Sequence, residues 1–164
     1  MIEVYAPASI GNFAVGFDAL GAALAPIDGT LLGDVVAVSS SELDEFICSG
    51  DYADKLPSDA SENLAYQCLV HFREHVAPTM PSVKLELKKN LPIGSGLGSS
   101  ACSVVATFAA LDQFAGTALS QVQLIELMAD FEAIVSGGRH YDNITPCYLG
   151  GLQLTGDLIP NKYQ

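Results

Sequence analysis

Basic residues are scarce in this sequence: seven Lys and Arg stand against nineteen Asp and Glu, for a formal net charge of −12. That balance argues against a nucleic-acid binder and an anionic-membrane binder, since both need basic patches to displace counterions, and it points to a small-molecule partner. No apolar run approaches the ~20 residues a membrane span needs. The opening "MIEVYAPASI" lacks the basic stretch and apolar core of a targeting segment, so a cytoplasmic protein is expected. The four cysteines, Cys48, Cys68, Cys102 and Cys147, include no CxxC pair; neither a zinc knuckle nor a redox motif is signalled, and they read as buried thiols. Repeats, low-complexity tracts and linkers are absent too. A chain of 164 residues that is 49% hydrophobic fits one domain of roughly 100–200 residues with a real core.

The periodicities that are present mix strands and helices. "IEVYA" and "DVVAV" have strand composition, and "VKLELK" alternates apolar Val83, Leu85 and Leu87 with charged residues, as a half-buried strand does. Ala65, Leu69, Phe72 and Val76 form one helical stripe, and Ser99 to Phe114 forms a second that is apolar on nearly all sides. A third helix opens at Ser120, with Gln123 three residues on as a capping box, and runs to about Val135 before "SGG". The order lacks regular β-α alternation, which predicts an α+β fold rather than a doubly wound sheet.

Between the strand "VKLELK" and the second helix lies "LPIGSGLGSSAC", with three glycines, three serines and no charge. A bare Gly-rich turn at a helix N-terminus offers unobstructed N–H groups and the positive end of the helix dipole, which together make a phosphate site. A merely flexible turn is the alternative, though such turns rarely lead straight into a buried helix. The Walker pattern GxxxxGK[ST] fails, because Gly98 is followed by Ser99 and Ser100 with no lysine. The dinucleotide pattern GxGxxG fails as well, since its sixth place is Ser99. What remains, P-x-G-x-G-L-G-S-S-A from Pro92 to Ala101, closely resembles the phosphate-binding motif of the GHMP kinases. Within it the resemblance implies nucleotide contacts from Pro92, Ile93, Gly94, Ser95, Gly96, Leu97, Gly98, Ser99, Ser100, Ala101 and the following Cys102.

Other stretches resemble the homoserine kinase branch of that superfamily. "VYAPASIGNFAVGFDALGAAL" is similar to its N-terminal segment, in which an Asn and an Asp six residues apart line the amino-acid pocket; here they are Asn12 and Asp18. "SENLAY" resembles the segment that holds the adenine, with Asn63 as the implied contact. "SGGRHYDNITPCYLGG" resembles a segment carrying a substrate-site His and Asn, here His140 and Asn143. The resemblance covers essentially the whole chain.

Several residues carry independent weight. On a wheel at ~100° per residue centred on Met128, Leu124, Ile125, Phe131 and Val135 lie within about 60°, and Glu132 falls inside that apolar stripe. A carboxylate there is costly unless it is paired, ligates a metal or reaches solvent from the stripe's edge. Magnesium takes a few carboxylate or hydroxyl oxygens together with substrate phosphates, and the resemblance assigns that role to Glu132 with Ser100. His140 and Asn143 sit in what reads as a Gly-flanked loop, where a structural hydrogen-bonding role and "YDN" turn chemistry are the alternatives. Asp142 is the comparably placed acid, yet the resemblance puts Asn143 in the position that orients the acceptor hydroxyl, with no strong general base; phosphoryl transfer permits this because it depends chiefly on positioning and charge neutralisation. Arg139 is either an anion clamp or a surface charge. Lys88 and Lys89 either edge the nucleotide pocket or, as the favoured reading has it, are solvated strand-end lysines. His71 and His75 have metal-ligand spacing but no third ligand, and read as surface residues.

The resemblance implies a ribosomal protein S5 domain 2-like fold, ATP and Mg2+ as cofactors, and transfer of the γ-phosphoryl group to the side-chain hydroxyl of L-homoserine on the threonine pathway. A GHMP kinase for another small alcohol and a non-catalytic nucleotide-binding module remain open. GHMP kinases are considerably longer than this chain, so residues 1–164 are expected to be the N-terminal, ATP-binding portion of such an enzyme. They are expected to lack the basic residues that meet a substrate carboxylate, to be inactive alone, and to self-associate, a homodimer included, through apolar surface left uncovered.

Overall fold

The computed structural model describes residues 1–13 and 18–155. Four strands form the main sheet: β1 (Ile2–Pro7), β4 (Gly33–Ser40), β5 (Glu45–Ser49) and β6 (Val83–Lys88). Their order is β1-β4-β6-β5, antiparallel except for the β5–β6 pair. A smaller antiparallel sheet holds β2 (Ser9–Ile10), β3 (Leu20–Ala23) and β7 (Leu152–Leu154) in the order β2-β3-β7. Four α-helices, α1 (Leu64–His75), α2 (Ser99–Ala115), α3 (Gln121–Ser136) and α4 (Tyr141–Leu149), and two short 3-10 turns, Ala53–Lys55 and Ala60–Glu62, complete the elements of the described residues. None of the described helices is long and apolar enough to cross a membrane.

The alternation in "VKLELK" puts Val83, Leu85 and Leu87 on the buried face of β6, and Val36 and Val38 do the same on β4. That face is covered by α2, which is buried along most of its length as its all-round apolar pattern requires. Helix α1 packs on α2 through Ala65, Cys68, Leu69 and Phe72, and α3 adds Leu124, Met128 and Phe131. Each fully buried side chain of this size stabilises by about 1.5–3 kcal/mol before entropy is counted. Three of the cysteines, Cys68, Cys102 and Cys147, are buried free thiols, while Cys48 is half-buried.

Helix termini follow their signals. Ser120 and Gln123 make the reciprocal capping box of α3, Asn63 caps α1 through the Ala65 N–H, and Gly116 and Gly137 end α2 and α3 in the left-handed conformation. Two expectations need correction. Val135 is 43% exposed because the last turn of α3 runs past the core it packs on, leaving Ile134 exposed as well. Residues after Arg139, read as a loop, instead form α4, which packs on β3. That approach is so close that a Cβ at Gly21 would lie 1.6 Å from the Asp142 carbonyl oxygen.

Candidate functional site

β6 ends at Lys88, and the chain then crosses from buried Leu91 through the exposed residues Ile93 to Gly96 into α2. Gly98 is the N-cap, with φ of 63° and no side chain capping the helix. The first intrahelical bond runs from the Cys102 N–H to the Gly98 carbonyl at 2.8 Å, so the N–H groups of Ser99, Ser100 and Ala101 have no intrahelical acceptor. Gly94 and Gly96 also have positive φ, 69° and 77°, with open space where a Cβ would stand. Gly98 differs: a Cβ there would fall 2.2 Å from Ser9 Oγ and 2.9 Å from Asn143 Oδ1, so only glycine satisfies both the torsion and the packing. Donors and helix dipole therefore converge on an uncapped helix start, the arrangement that binds phosphate.

This turn forms one wall of a cleft of ≈ 300 Å³. Leu56, Leu64 and Leu87 give it an apolar side; Asn63, Ser100, Glu132, His140 and Asn143 bring polar groups to it. Two of these lining residues hold buried polar atoms without a hydrogen-bond partner, Asn63 Nδ2 and Glu132 Oε2. The Asn63 carboxamide oxygen is used as the α1 cap, which leaves its amide hydrogens for another acceptor. Burial pushes the Glu132 carboxyl up from its ordinary value, with nearby His140 opposing the shift. A purine ring, which carries nitrogen acceptors, fits the first atom. A hard cation fits the second, which shares the cleft with the Ser100 hydroxyl. The Ser99 hydroxyl is turned away, donating to the Leu91 carbonyl at 3.3 Å. Among the described residues no three His, Cys, Asp or Glu side chains form an all-protein metal cage.

The other predicted residues gather beside His140. Asn12 Oδ1 accepts from the Asp18 N–H at 2.9 Å, both residues having φ of 53°, and Asp18 Oδ1 lies 3.8 Å from His140 Nδ1. Asn143 Oδ1 accepts from Ser9 Oγ at 3.1 Å. Asp142 is buried and accepts from the Asn12 N–H at 2.8 Å, so its carboxylate anchors the Asn12 segment and does not line the cleft. Asp142 and Asn143 are adjacent in the first turn of α4, about 100° apart; both side chains approach Gly11, but only Asn143 also reaches the turn at Gly98. Pro92, Leu97, Cys102, Asn12 and Asp18 stand outside the lining of the cleft. Cys102 in particular is a core residue whose thiol donates to the Ala6 carbonyl at 3.0 Å.

Sequence missed Ser9 and misread Lys89 and His71, while Arg139 takes the surface-charge reading of its two. Lys88 is exposed as expected, but Lys89 is only 2% exposed and pairs with fully buried Asp34; the alternation of β6 carried two residues past Leu87 is the signal for it. Ser9, fully buried, ties Asn143 to the turn, since its N–H also donates to the Leu97 carbonyl at 3.1 Å. Arg139 is an exposed charge paired with Glu126 and Asp130 on α3. His71 is half-buried against Phe108 and Phe131.

Comparison with known proteins bears on the family and the fold. The family model described as "GHMP kinases N terminal domain" matches residues 63–151. A homoserine kinase from Cytophaga hutchinsonii is similar at 32% identity and a TM-score of 0.77, over 93% of this chain and 47% of its own. A putative homoserine kinase from Listeria monocytogenes gives 25% and 0.67, over 93% of this chain and 48% of its own. The Methanococcus jannaschii mevalonate kinase, at 16% identity and a TM-score of 0.70 over 92% of this chain and 52% of its own, shares the fold. The chain thus spans about half the length of the kinases it resembles. Its fold is the mixed α/β, ribosomal protein S5 domain 2-like architecture of that N-terminal domain. With the family model covering more than half of the sequence, the chain belongs to the GHMP kinases.

Proposed function

We propose that residues 1–164 are the ATP-binding domain of a cytoplasmic homoserine kinase that transfers the γ-phosphoryl group of ATP to the side-chain hydroxyl of L-homoserine, a step of threonine biosynthesis. The observation that carries the reading is the pair of unpartnered buried atoms, Asn63 Nδ2 and Glu132 Oε2, lining the same cleft as the uncapped start of α2. Each is costly alone, and a magnesium nucleotide compensates both.

In this reading Asn63 donates to the adenine, Leu56 and Leu64 pack on it, and the N–H groups of the Gly94–Ala101 turn hold the phosphates. Ser100 and Glu132 would hold magnesium, which when bound neutralises charge on the phosphate oxygens. Asn143 sits between the turn and the Asn12 segment and orients the acceptor hydroxyl. Asp18, 3.8 Å from the cleft-lining His140, is the acid assigned in this reading to the substrate ammonium, in a charge-assisted bond worth about 1.5–3 kcal/mol. That Asn143 lines the cleft while Asp142 is spent on the Asn12 N–H supports catalysis by positioning rather than by a carboxylate base.

The test is a coupled ATP-consumption assay with L-homoserine, mevalonate and free sugars on a longer kinase chain that contains residues 1–164, since these residues are expected to be inactive alone, run beside melting curves with each acceptor. Turnover with L-homoserine and a rise in melting temperature with it alone are expected. Turnover only with another alcohol would reassign the acceptor. ATP binding with neither turnover nor acceptor-induced stabilisation would leave a nucleotide-binding module.

A further inference from the structure

The alternation that buries Val83, Leu85 and Leu87 on β6 also turns Lys89 inward, and the phase that buries Val36 and Val38 on β4 turns Asp34 inward. Because Val35 pairs with Lys88 in the antiparallel register, Asp34 and Lys89 follow directly opposite one another. Two charges thus face each other where the sheet ends and the phosphate turn begins, with Lys89 Nζ 2.5 Å from Asp34 Oδ2.

A buried ion pair contributes little net stability, and well-packed apolar replacements are often as good. This pair, however, reaches backbone that apolar side chains cannot hold. Asp34 Oδ1 accepts from the N–H groups of Asn90 at 2.9 Å and Leu91 at 3.1 Å, at the entry to the turn. Lys89 Nζ donates to the Ser99 carbonyl at 2.8 Å, at its exit, and to Ser103 Oγ at 2.9 Å one turn further along α2. Ser103 Oγ closes the ring by donating to Asp34 Oδ2 at 2.7 Å. Between these ends a Cβ at Gly94 or Gly96 would meet nothing; the Ser99 hydroxyl on the Leu91 carbonyl and the Ser9 N–H on the Leu97 carbonyl are further ties, and the charged pair adds the buried contacts that reach both ends at once.

We propose that the Asp34–Lys89 pair is a positioning clamp: by tying Asn90 and Leu91 to Ser99 it fixes the span of the turn so that its N–H groups converge on one phosphate. The proposal rests on the nucleotide reading of the cleft. Neither residue is a catalytic group, because both act through the backbone they hold.

The double variant Asp34→Asn/Lys89→Met tests it. It removes both buried charges together, retains an acceptor for the entry N–H groups, and cuts the tie to Ser99; single Lys89→Met, which strands a buried carboxylate, is the control for misfolding. The double variant should melt within about 3 °C of the unmodified protein, exchange the bonded amide hydrogens at the two ends of the turn, those of Asn90, Leu91 and Cys102, at least about tenfold faster, and leave exchange over residues 104–111 unchanged. Its affinity for ATP should fall at least about tenfold, while affinity for adenosine, which has no phosphate, stays within about twofold. Unchanged exchange at the two ends of the turn would overturn the clamp. So would a melting temperature lower by more than about 10 °C, since the pair would then be holding the core. If the unmodified protein binds no ATP, the nucleotide reading falls, and the exchange measurement alone decides the clamp.

Discussion

Glu132 is a half-buried carboxylate with one buried oxygen, Oε2, that has no hydrogen-bond partner. Its burial raises the carboxyl pKa from the ordinary 4.5, so the folded state binds its proton more tightly than the unfolded chain does. Between that ordinary value and the raised one, stability falls as pH rises, so that the ionised carboxylate is a net cost to the fold. A bound cation would offset the cost. Glu132→Gln is therefore expected to melt about 2–4 °C higher at pH 7 without nucleotide, while losing at least about tenfold of the ATP affinity that magnesium confers. Calorimetric melting and ATP titration with and without magnesium check both halves. A variant that melts lower and keeps its magnesium dependence would remove the metal-ligand role. This residue was legible in the sequence because a carboxylate inside an apolar stripe is an anomaly on a helical wheel. Lys89 was misread because "KKN" after a strand looks like solvated charge; only the phase of the preceding alternation marks it as inward. Ser9 carried no signal, since its role depends on contacts with residues far along the chain, Leu97 and Asn143.

Among the elements, α1, α2 and α3 meet in an aromatic cluster. His71 lies 6.2 Å from Phe108 and 5.5 Å from Phe131, ring centre to ring centre, and Phe108 and Phe131 are 5.5 Å apart. Burial, then the neighbouring His75, lowers the His71 pKa from 6.5, with Glu74 and Asp130 pulling the other way. The fold thus prefers His71 neutral, and its contribution is present above pH 6.5 and lost as pH falls through that value toward the depressed one. Melting temperature is expected to fall by about 2–4 °C between pH 7.5 and 5.5, with the slope flattened in His71→Phe; an equal slope in that variant would place the titration elsewhere. The elements themselves were unevenly legible. Helices α2 and α3 announce their ends through Gly98, Gly116 and the Ser120–Gln123 box. Helix α4 does not: it is nine residues long, holds Pro146 in its interior and follows two glycines, so local propensity opposes it and packing against β3 and α2 decides. β5, an edge strand with Phe46 and Cys48 only half-buried, is too short and too weakly patterned to stand out.

At the scale of the whole molecule, a net charge of −12 surrounds a cleft proposed for one of the most highly charged anions in the cell. Among the described residues Lys89 is the only lysine or arginine lining that cleft, and its charge is matched by Asp34. Attraction for phosphate must therefore arise at short range, from N–H groups and the helix dipole at the start of α2, whose reach ends within the first turn. At longer range the acidic surface opposes the nucleotide. That repulsion acts over a Debye length, ~30 Å at 0.01 M salt and ~10 Å at 0.1 M, so it is strong only in dilute buffer. The association rate of a fluorescent ATP analogue at fixed magnesium is accordingly expected to rise, by about threefold or more, as sodium chloride increases from about 10 to 200 mM, whereas the dissociation rate, governed by short-range bonds, changes far less. Stopped-flow traces at four or five salt concentrations measure both. An association rate that falls with salt would mean that a local positive field outweighs the acidic surface, and the phosphate site would then have to be sought at a cation rather than at the bare turn between Leu91 and Ser99.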